Sequence, residues 1–227
     1  MSIGASSPVW RISIACAALA VTLAAPAGAR AQRQVASRAV EARSLPRAVA
    51  YRGDVVAARQ WTDRMGDNLL VITKTSCLTP GGESETGWCG DYETYAYHYV
   101  RRPAGWTLLW RTTDSVRECG EDVTLDLDPR TVSVTDLDAD GVAETTFLYL
   151  LACRGGVDPA GMKLIMHEGA AKYAIRGSTD MSREYGARAR SEMNVDPSFN
   201  RAPPAFRAFA VAQWNRWIRE DRWHPFG

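Results

Sequence analysis

This chain of 227 residues has few lysines, few histidines and almost no net charge. Lysine plus arginine number 27 and aspartate plus glutamate 26, so the formal charge of +1 offers no electrostatic attraction to nucleic acid or acidic lipid. The three histidines, His98, His167 and His224, lack the spacing of metal ligands. These absences argue against a nucleic-acid-binding protein and against a histidine-based metal site.

Catalytic sequence motifs are missing as well. The chain has no Gly-x-Ser-x-Gly, no His-Glu-x-x-His, no P-loop and no dinucleotide-binding fingerprint. After the first thirty residues, no run is apolar enough to cross a membrane. The sequence therefore points away from the common hydrolases, from nucleotide-dependent enzymes and from multispan membrane proteins.

The N-terminal residues 1–31 have the pattern of a cleavable signal peptide. Arg11 precedes an apolar run over residues 12–25, and small residues then lead to Ala29-Arg30-Ala31, which suits signal peptidase. We expect cleavage after Ala31, with a cut after Ala29 as the alternative. The run of about fourteen residues is shorter than the roughly twenty that span a bilayer, so we predict a periplasmic or secreted protein without a membrane span.

Export determines how the cysteines are interpreted. Cys16 leaves with the signal peptide, and Cys77, Cys89, Cys119 and Cys153 remain in an oxidising compartment. Of the three pairings that four cysteines allow, we favour Cys77 with Cys89 and Cys119 with Cys153. The gaps of 12, 30 and 34 residues do not suit structural zinc, the alternative use of four cysteines.

From Tyr51 onward, short apolar runs alternate with turn residues, as is typical of an antiparallel sheet. Residues 32–50 have few large apolar side chains, so we interpret them as a flexible leader outside the fold. The predicted fold class is mainly β (α+β), a sandwich-like meander of hairpins in one domain over residues 51–227. The predicted strands cover residues 54–60, 68–74, 92–101, 106–112, 123–127, 132–135, 145–153, 162–167 and 172–176.

The last part of the chain changes to a helical period. Phe206, Phe209, Ala210, Trp214 and Trp217 follow steps of three and four, after a Pro203-Pro204 pair that suits the first turn of a helix. We predict an amphipathic helix over residues 203–221, with its aromatic face packed on the sheet.

An acidic loop between two predicted strands carries the clearest chemical signal. Asp136, Asp138 and Asp140 alternate along it, Gly141 permits a sharp turn, and Glu144 ends it. These four carboxylates, the Val142 carbonyl and water can supply the six to eight oxygen ligands that calcium prefers. We predict a structural calcium site; the alternative is an ordinary Asp-Gly hairpin turn with solvated acids.

The spacing of the loop resembles the calcium loops of integrin-type FG-GAP repeats, present here in one copy. An EF-hand would need an acid at the twelfth loop position, which is Phe147. The resemblance implies a bound ion and does not imply a propeller.

An aromatic strand and its neighbours form a second candidate site. Tyr95, Tyr97 and Tyr99 share one face of a predicted strand. Such a face either stacks on sugar rings or belongs to the core. The candidate stacking residues are Trp88, Tyr95, Tyr97, Tyr99, Trp106 and Trp110. Nearby acids, either Asp91 with Glu93 or Glu118 with Glu121 and Asp122, are candidates for the carboxyl pair of a glycoside hydrolase.

Several short motifs form a pattern over roughly residues 55–218. They are Trp61-Thr62-Asp63, Gly66-Asp67-Asn68, Ala96-Tyr97-His98-Tyr99, the acidic loop, Met162-Lys163-Leu164-Ile165, residues 172–177 and the end from Ala202-Pro203 to Trp214. Together they resemble a poorly characterised family of exported bacterial proteins that is associated by name with surface-polysaccharide biosynthesis. The resemblance implies an envelope setting and carries over no catalytic residue.

Three functional hypotheses follow. The first is a non-enzymatic, calcium-stabilised envelope protein that binds or helps to handle surface polysaccharide or a protein partner. The second is a carbohydrate-active enzyme that uses paired carboxylates beside the aromatic strand. The third is a secreted inhibitor or interaction protein, whose protruding loop would be residues 80–88.

Overall fold

Apolar and β-branched residues dominate the segments between turns, and these segments form strands. The computed structural model describes residues 33–76 and 91–223, together with Met1. The described strands are β1 (Arg33–Gln34), β2 (Ser37–Ala39), β3 (Asp54–Asp63), β4 (Gly66–Ser76), β5 (Tyr92–Arg102), β6 (Gly105–Val116), β7 (Asp122–Leu127), β8 (Ser133–Asp136), β9 (Glu144–Arg154), β10 (Gly161–Glu168), β11 (Ala171–Ser178) and β12 (Met193–Val195). The helices are α1 (Ser182–Tyr185) and α2 (Pro204–Trp217), and 3-10 turns lie at Ala42–Ser44, Pro129–Thr131, Ala187–Ala189, Pro197–Arg201 and Glu220–Arg222.

Strands β2 to β6 form a five-stranded antiparallel sheet in which each strand pairs with the next along the chain. In the β3–β4 hairpin, Asp63 pairs with Gly66 across the turn. Gly66 has a φ of 107°, which a residue with a Cβ atom rarely adopts. Glycine therefore allows a tight turn at this end of the sheet.

The other seven strands form a second antiparallel sheet, in the order β1-β8-β9-β10-β11-β12, with β7 also paired to β9. Strand β8 pairs with the first residues of β9, and strand β7 pairs with the last residues of β9. Strands β7 and β8 therefore lie end to end along the same side of β9. The turn Pro129–Thr131 joins them, and the Thr131 hydroxyl bonds to the backbone of Leu148 in β9.

The two sheets pack face to face and are covered on their outer faces as well. Between them lie Trp61, Ile72 and Trp110 of the first sheet against Phe147 and Ile165 of the second. The outer face of the seven-stranded sheet packs against α2, and the outer face of the five-stranded sheet packs against the N-terminal segment. The predicted fold class, mainly β with a C-terminal helix on the sheet, is confirmed.

Helix α2 is shorter than the predicted span of residues 203–221. It ends at Trp217, after burying Phe206, Ala210 and Trp214 along one face. Arg219 then has an extended backbone, with ψ of 133°, and the Ile218 carbonyl accepts the amide of Asp180 at 2.7 Å. This bond to the neighbouring chain takes the place of a further helical turn. Within residues 33–76 and 91–223, no helix has the length and apolarity needed to cross a membrane.

The N-terminal segment corrects one prediction. Residues 33–50 were expected to be a leader outside the fold, but β1 pairs with β8 of one sheet and β2 pairs with β3 of the other. Val49 is buried against the tyrosines of β5, and Val40 and Leu45 pack beside it. A few apolar residues suffice here because the backbone pairs with two sheet edges.

The disulfide between Cys119 and Cys153 is present, with its Cα atoms 5.6 Å apart. It ties the segment before β7 to the end of β9, where Val123 is the neighbour of Cys153 across the strands. The predicted Cys77–Cys89 bridge and the cleavage site at Ala31 lie outside the described residues.

A network around Glu220 holds the end of the chain against the second sheet. Its two carboxylate oxygens accept hydrogen bonds from Arg154, each at 2.9 Å, and one oxygen also accepts from Thr179 and from the Ala160 amide. Burial by itself would raise the pKa of Glu220, but these hydrogen bonds lower it below its ordinary value. Glu220 is therefore charged and fully bonded.

We expect Glu220→Ala to lower the free energy of unfolding by about 2 to 4 kcal/mol, because it leaves Arg154 half-buried without its partner. The matched control is Asp221→Ala, since Asp221 is exposed and has only a long contact with Arg219. Urea unfolding should show a change of at most about 0.5 kcal/mol for the control. Equal losses in the two variants would contradict the role of the Glu220 network.

Candidate metal centre

The acidic loop spans residues 137–143 between β8 and β9, and its conformation depends on its own carboxylates. Asp138 accepts the amide of Asp140 at 3.1 Å, and Asp140 accepts the amide of Val142 at 2.7 Å. Ala139 and Gly141 have φ of 59° and 86°, so the backbone turns sharply at both positions. The loop therefore curls and does not extend as a simple two-residue hairpin.

The curl brings carboxylates together in two groups that share one residue. Asp136, Asp138 and Glu144 each place an oxygen within 4.8 Å of the others, and Asp138, Asp140 and Glu168 do the same. The two groups are arranged so that they can hold a metal ion. Of the predicted side-chain ligands, all four lie in this cluster.

Glu168 belongs to the cluster and was not predicted from the sequence. It ends β10 and lies directly across from Glu144, the first residue of β9. Two glutamates at facing positions of neighbouring strands repel each other unless a proton or cation lies between them. Their facing register is the signal that identifies Glu168, and the register is known only once the strands are paired.

Glu144 is completely buried, with an exposed fraction of 0%. Its Oε2 accepts hydrogen bonds from the Leu137 amide at 2.9 Å and from the Thr135 hydroxyl at 3.1 Å. Its Oε1 is buried without a hydrogen-bond partner among the described residues, and so are one oxygen of Asp136 and one of Glu168. A buried polar atom without a partner costs about 1 to 3 kcal/mol, so three such oxygens favour a cation as their partner.

Burial also shifts the protonation of these groups. Loss of water raises the pKa of Glu144 to about 8, although its hydrogen bonds from Leu137 and Thr135 act in the opposite direction. Burial and the negative charges of Asp138 and Asp140 raise the pKa of Glu168 to about 7. Near neutral pH, the cluster therefore holds protons that a cation can displace.

The β3–β4 hairpin of the other sheet clamps the loop from outside. Arg64 donates to the Asp140 carbonyl at 2.7 Å and to its carboxylate at 3.0 Å, and its amide donates to the Gly141 carbonyl at 2.8 Å. Asp63 accepts the amide of Ala143 at 3.0 Å. The cluster thus lies at a junction of three hairpins drawn from both sheets.

Val142 is part of the loop, and its amide bonds to Asp140. The contacts of this residue are therefore consistent with the curled backbone. The contribution of its carbonyl to an ion stays a prediction.

The aromatic strand belongs to the core and does not offer a stacking surface. Tyr95, Tyr97 and Tyr99 stack on one another with ring centres 5.9 and 6.4 Å apart, and all three are buried. The N-terminal segment covers them: the Tyr97 hydroxyl accepts the Arg52 amide at 3.2 Å, and the Tyr99 hydroxyl donates to the Ala50 carbonyl. The prediction that these three tyrosines stack on a ligand is therefore wrong, because residues 33–50 occupy the face that a sugar would need.

The tryptophans proposed beside that strand differ in their surroundings. Trp110 is buried and stacks on His167, with ring centres 3.8 Å apart. Trp106 is half-buried, with Arg101 lying 5.7 Å from its ring centre. Trp88 lies outside the described residues. Trp110 is thus a core residue as well, and Trp106 remains the one partly exposed aromatic of the predicted set within the described ranges.

Two of the candidate catalytic carboxylates, Glu93 and Asp91, are held in other interactions. Glu93 is buried, accepts the Tyr95 hydroxyl and forms ion pairs with Arg117 and Arg52. Asp91 accepts the amide of Glu118 at 2.8 Å. Glu93 therefore serves the packing of the five-stranded sheet.

Comparison with known proteins adds no relative: no protein-family model, curated protein or solved structure matches this chain.

The raised pKa values generate a pH prediction for the chelator-treated protein. Because Glu144 and Glu168 titrate above their ordinary value, the folded state holds more protons than the unfolded state up to about pH 8. Their contribution to stability is therefore lost as pH rises. Burial lowers the pKa of His98 to about 4 and that of His167 to about 3. These histidines change stability with pH in the opposite direction, mainly around and below their ordinary pKa of 6.5.

We therefore expect the melting temperature in EDTA to fall from about pH 7.5 to about pH 8.5, a window in which the histidines of the unfolded state are already almost neutral. Differential scanning calorimetry measures this fall. The Glu144→Gln variant should show a flatter profile, since its amide does not titrate. A melting temperature that rises across the window in the original protein would contradict the predicted sign.

Proposed function

We propose that this chain is a calcium-stabilised β-sandwich protein that acts outside the cytoplasm in a binding role and not as an enzyme. The observation that supports it most is the fully buried carboxylate of Glu144, whose Oε1 atom has no hydrogen bond among the described residues and which forms a group with Asp136 and Asp138. The calcium ion would neutralise the cluster and hold the loop, the β3–β4 hairpin and the end of β10 together.

The donor set supports calcium over other metals. Every side chain in the two groups offers a carboxylate oxygen, and none offers a histidine nitrogen or a cysteine sulfur. Oxygen-only sites suit calcium, magnesium or manganese, whereas zinc and copper prefer nitrogen and sulfur. Flexible carboxylates at several positions of a curled loop, with backbone carbonyls beside them, suit the larger and less regular coordination shell of calcium.

A structural role for the ion is supported by how the ligands are used. The Glu144 carboxylate already holds the ends of β8 and β9 through Thr135 and Leu137, and Asp140 holds Arg64 of the facing sheet. Carboxylates that fix backbone and coordinate an ion are not free to move protons for a substrate. The ion would therefore stabilise the junction of the two sheets.

An extracytoplasmic setting is supported by two features of the chain. The Cys119–Cys153 disulfide suits an oxidising compartment, and residues 1–31 have the composition of a signal peptide. Calcium is abundant outside cells, so even an affinity in the range of extracellular modules would keep the site filled. Within this proposal, the family resemblance gives the chain a role in binding or handling surface polysaccharide or an envelope protein.

Calcium binding is tested by a thermal shift series with the Glu144→Gln variant. At a hundredfold excess over the dissociation constant, calcium should stabilise the unmodified protein by about 2.7 kcal/mol relative to EDTA. Because burial keeps Glu144 largely protonated without an ion, glutamine mimics its metal-free state and should preserve the fold. The variant should nevertheless bind calcium at least about tenfold more weakly in a calorimetric titration, since it lacks one charged ligand.

The control is Asp158→Asn, which removes one exposed acid from a turn beyond the cluster. It should respond to calcium as the unmodified protein does. Equal melting temperatures in calcium and EDTA would refute the proposal. A Glu144→Gln variant that binds calcium with unchanged affinity would refute the assignment of this site.

A further inference from the structure

A second candidate site, far in sequence from the acidic loop, has the opposite charge. A cavity of about 310 Å³ lies at the C-terminal end of α2 and is lined by Arg130, Arg216, Trp217 and Arg222. Arg130 comes from the turn between β7 and β8, and the other three come from the end of α2 and the 3-10 turn after it. Three guanidinium groups thus border one small space, and no acid among residues 33–76 and 91–223 lines it.

Two of the three guanidinium groups, those of Arg130 and Arg222, are held in position before any ligand arrives. Arg130 donates from Nε to Asp128 at 2.7 Å and from Nη2 to the Arg222 carbonyl at 2.8 Å, and it lies 5.2 Å from the centre of the Trp217 ring. Arg222 donates from Nη1 to the Arg216 carbonyl at 2.8 Å. Ordering these long side chains in advance lowers the entropy that a ligand would otherwise lose on binding.

Donor groups remain available on each of them. In the described part of the chain, Nη1 of Arg130 and Nε and Nη2 of Arg222 form no hydrogen bond. The side chain of Arg216 makes no hydrogen bond or ion pair within the same ranges and only lies 5.9 Å from the Trp217 ring. The cavity is therefore bordered by N–H groups that lack acceptors.

The local charges do not balance. Asp128 pairs with Arg130, whereas the acids that follow α2 are used elsewhere, Glu220 by Arg154 and Asp221 by Arg219. Asp126 and Lys74 line an adjacent cavity. Arginine stays charged at every physiological pH, and neither Arg216 nor Arg222 forms an ion pair with another described residue, so within the described ranges the two positive charges that line the cavity have no carboxylate partner.

We propose that this cavity binds the phosphate group of a small soluble ligand. A guanidinium group can donate two parallel hydrogen bonds to two oxygens of one phosphate group. The two positive charges of Arg216 and Arg222 match a phosphate dianion better than a single carboxylate. The volume is in the range of small-ligand pockets, so a phosphate with a substituent the size of a sugar fits. The Trp217 ring lies 5.2 Å from the Arg130 guanidinium and 5.9 Å from that of Arg216, distances at which a cation is attracted to an aromatic ring.

Titration calorimetry with defined probes tests the site. The probes are inorganic phosphate and glucose 1-phosphate, with glucose and acetate as comparisons, all in EDTA so that no divalent metal mediates binding. We expect saturable binding of both phosphate probes, weak binding of acetate and none of glucose. In parallel, the indole N–H signal of Trp217 should shift in a nitrogen-15 correlation spectrum, because this residue lines the cavity.

Arg216→Ala and Arg222→Ala should each weaken the binding of the phosphate probes about tenfold or more, since each removes a charge-assisted hydrogen bond. Arg207→Ala is the matched control, an exposed arginine of the same helix that lines a different groove, and it should bind as the unmodified chain does. Thermal unfolding of each variant shows whether the fold is intact. Absence of saturable phosphate binding, acetate binding as tight as phosphate, or unchanged affinity in both cavity variants would overturn the proposal.

Discussion

The buried carboxylate of Glu144 is the interaction on which the acidic loop and the strands beside it depend. Its Oε2 atom holds the start of β9 to the end of β8, its Oε1 atom has no hydrogen bond among the described residues, and the side chain forms a group with Asp136 and Asp138. An ionised carboxylate is costly to bury unless it is paired, so the loop needs either a proton or a cation at this point. The proposed calcium ion meets that requirement, and Glu168 of the neighbouring hairpin lies in a second acidic group that shares Asp138 with the first.

The surrounding architecture explains why polar contacts of this kind are useful. Both sheets are covered on both faces, by α2 on one side and by residues 33–50 on the other, so their strands are held mainly by apolar packing. Apolar packing has little directional preference, and polar contacts at the ends of strands fix how the layers meet. The ion pair of Arg64 with Asp140 and the ion pair of Arg154 with Glu220 supply such contacts in two separate parts of the fold.

The sequence predicted the features that depend on local spacing and missed those that depend on strand register. The alternation of Asp136, Asp138 and Asp140 predicted their cluster, and the period of Phe206, Ala210 and Trp214 predicted the packed face of α2. Glu168 was missed because its position across from Glu144 follows from the pairing of β9 with β10. The tyrosines of β5 were ambiguous because their cover, Val49 and its neighbours, comes from a segment whose composition indicated a mobile leader.

Anomalous diffraction from crystals grown in calcium is the most direct test of the central claim, since it locates the ion without reference to any effect on stability. The predicted result is a peak about 2.3 to 2.6 Å from carboxylate oxygens of Asp136, Asp138 and Glu144. A map without a peak at the loop, in which a water or a neighbouring donor satisfies Oε1 of Glu144, would contradict it.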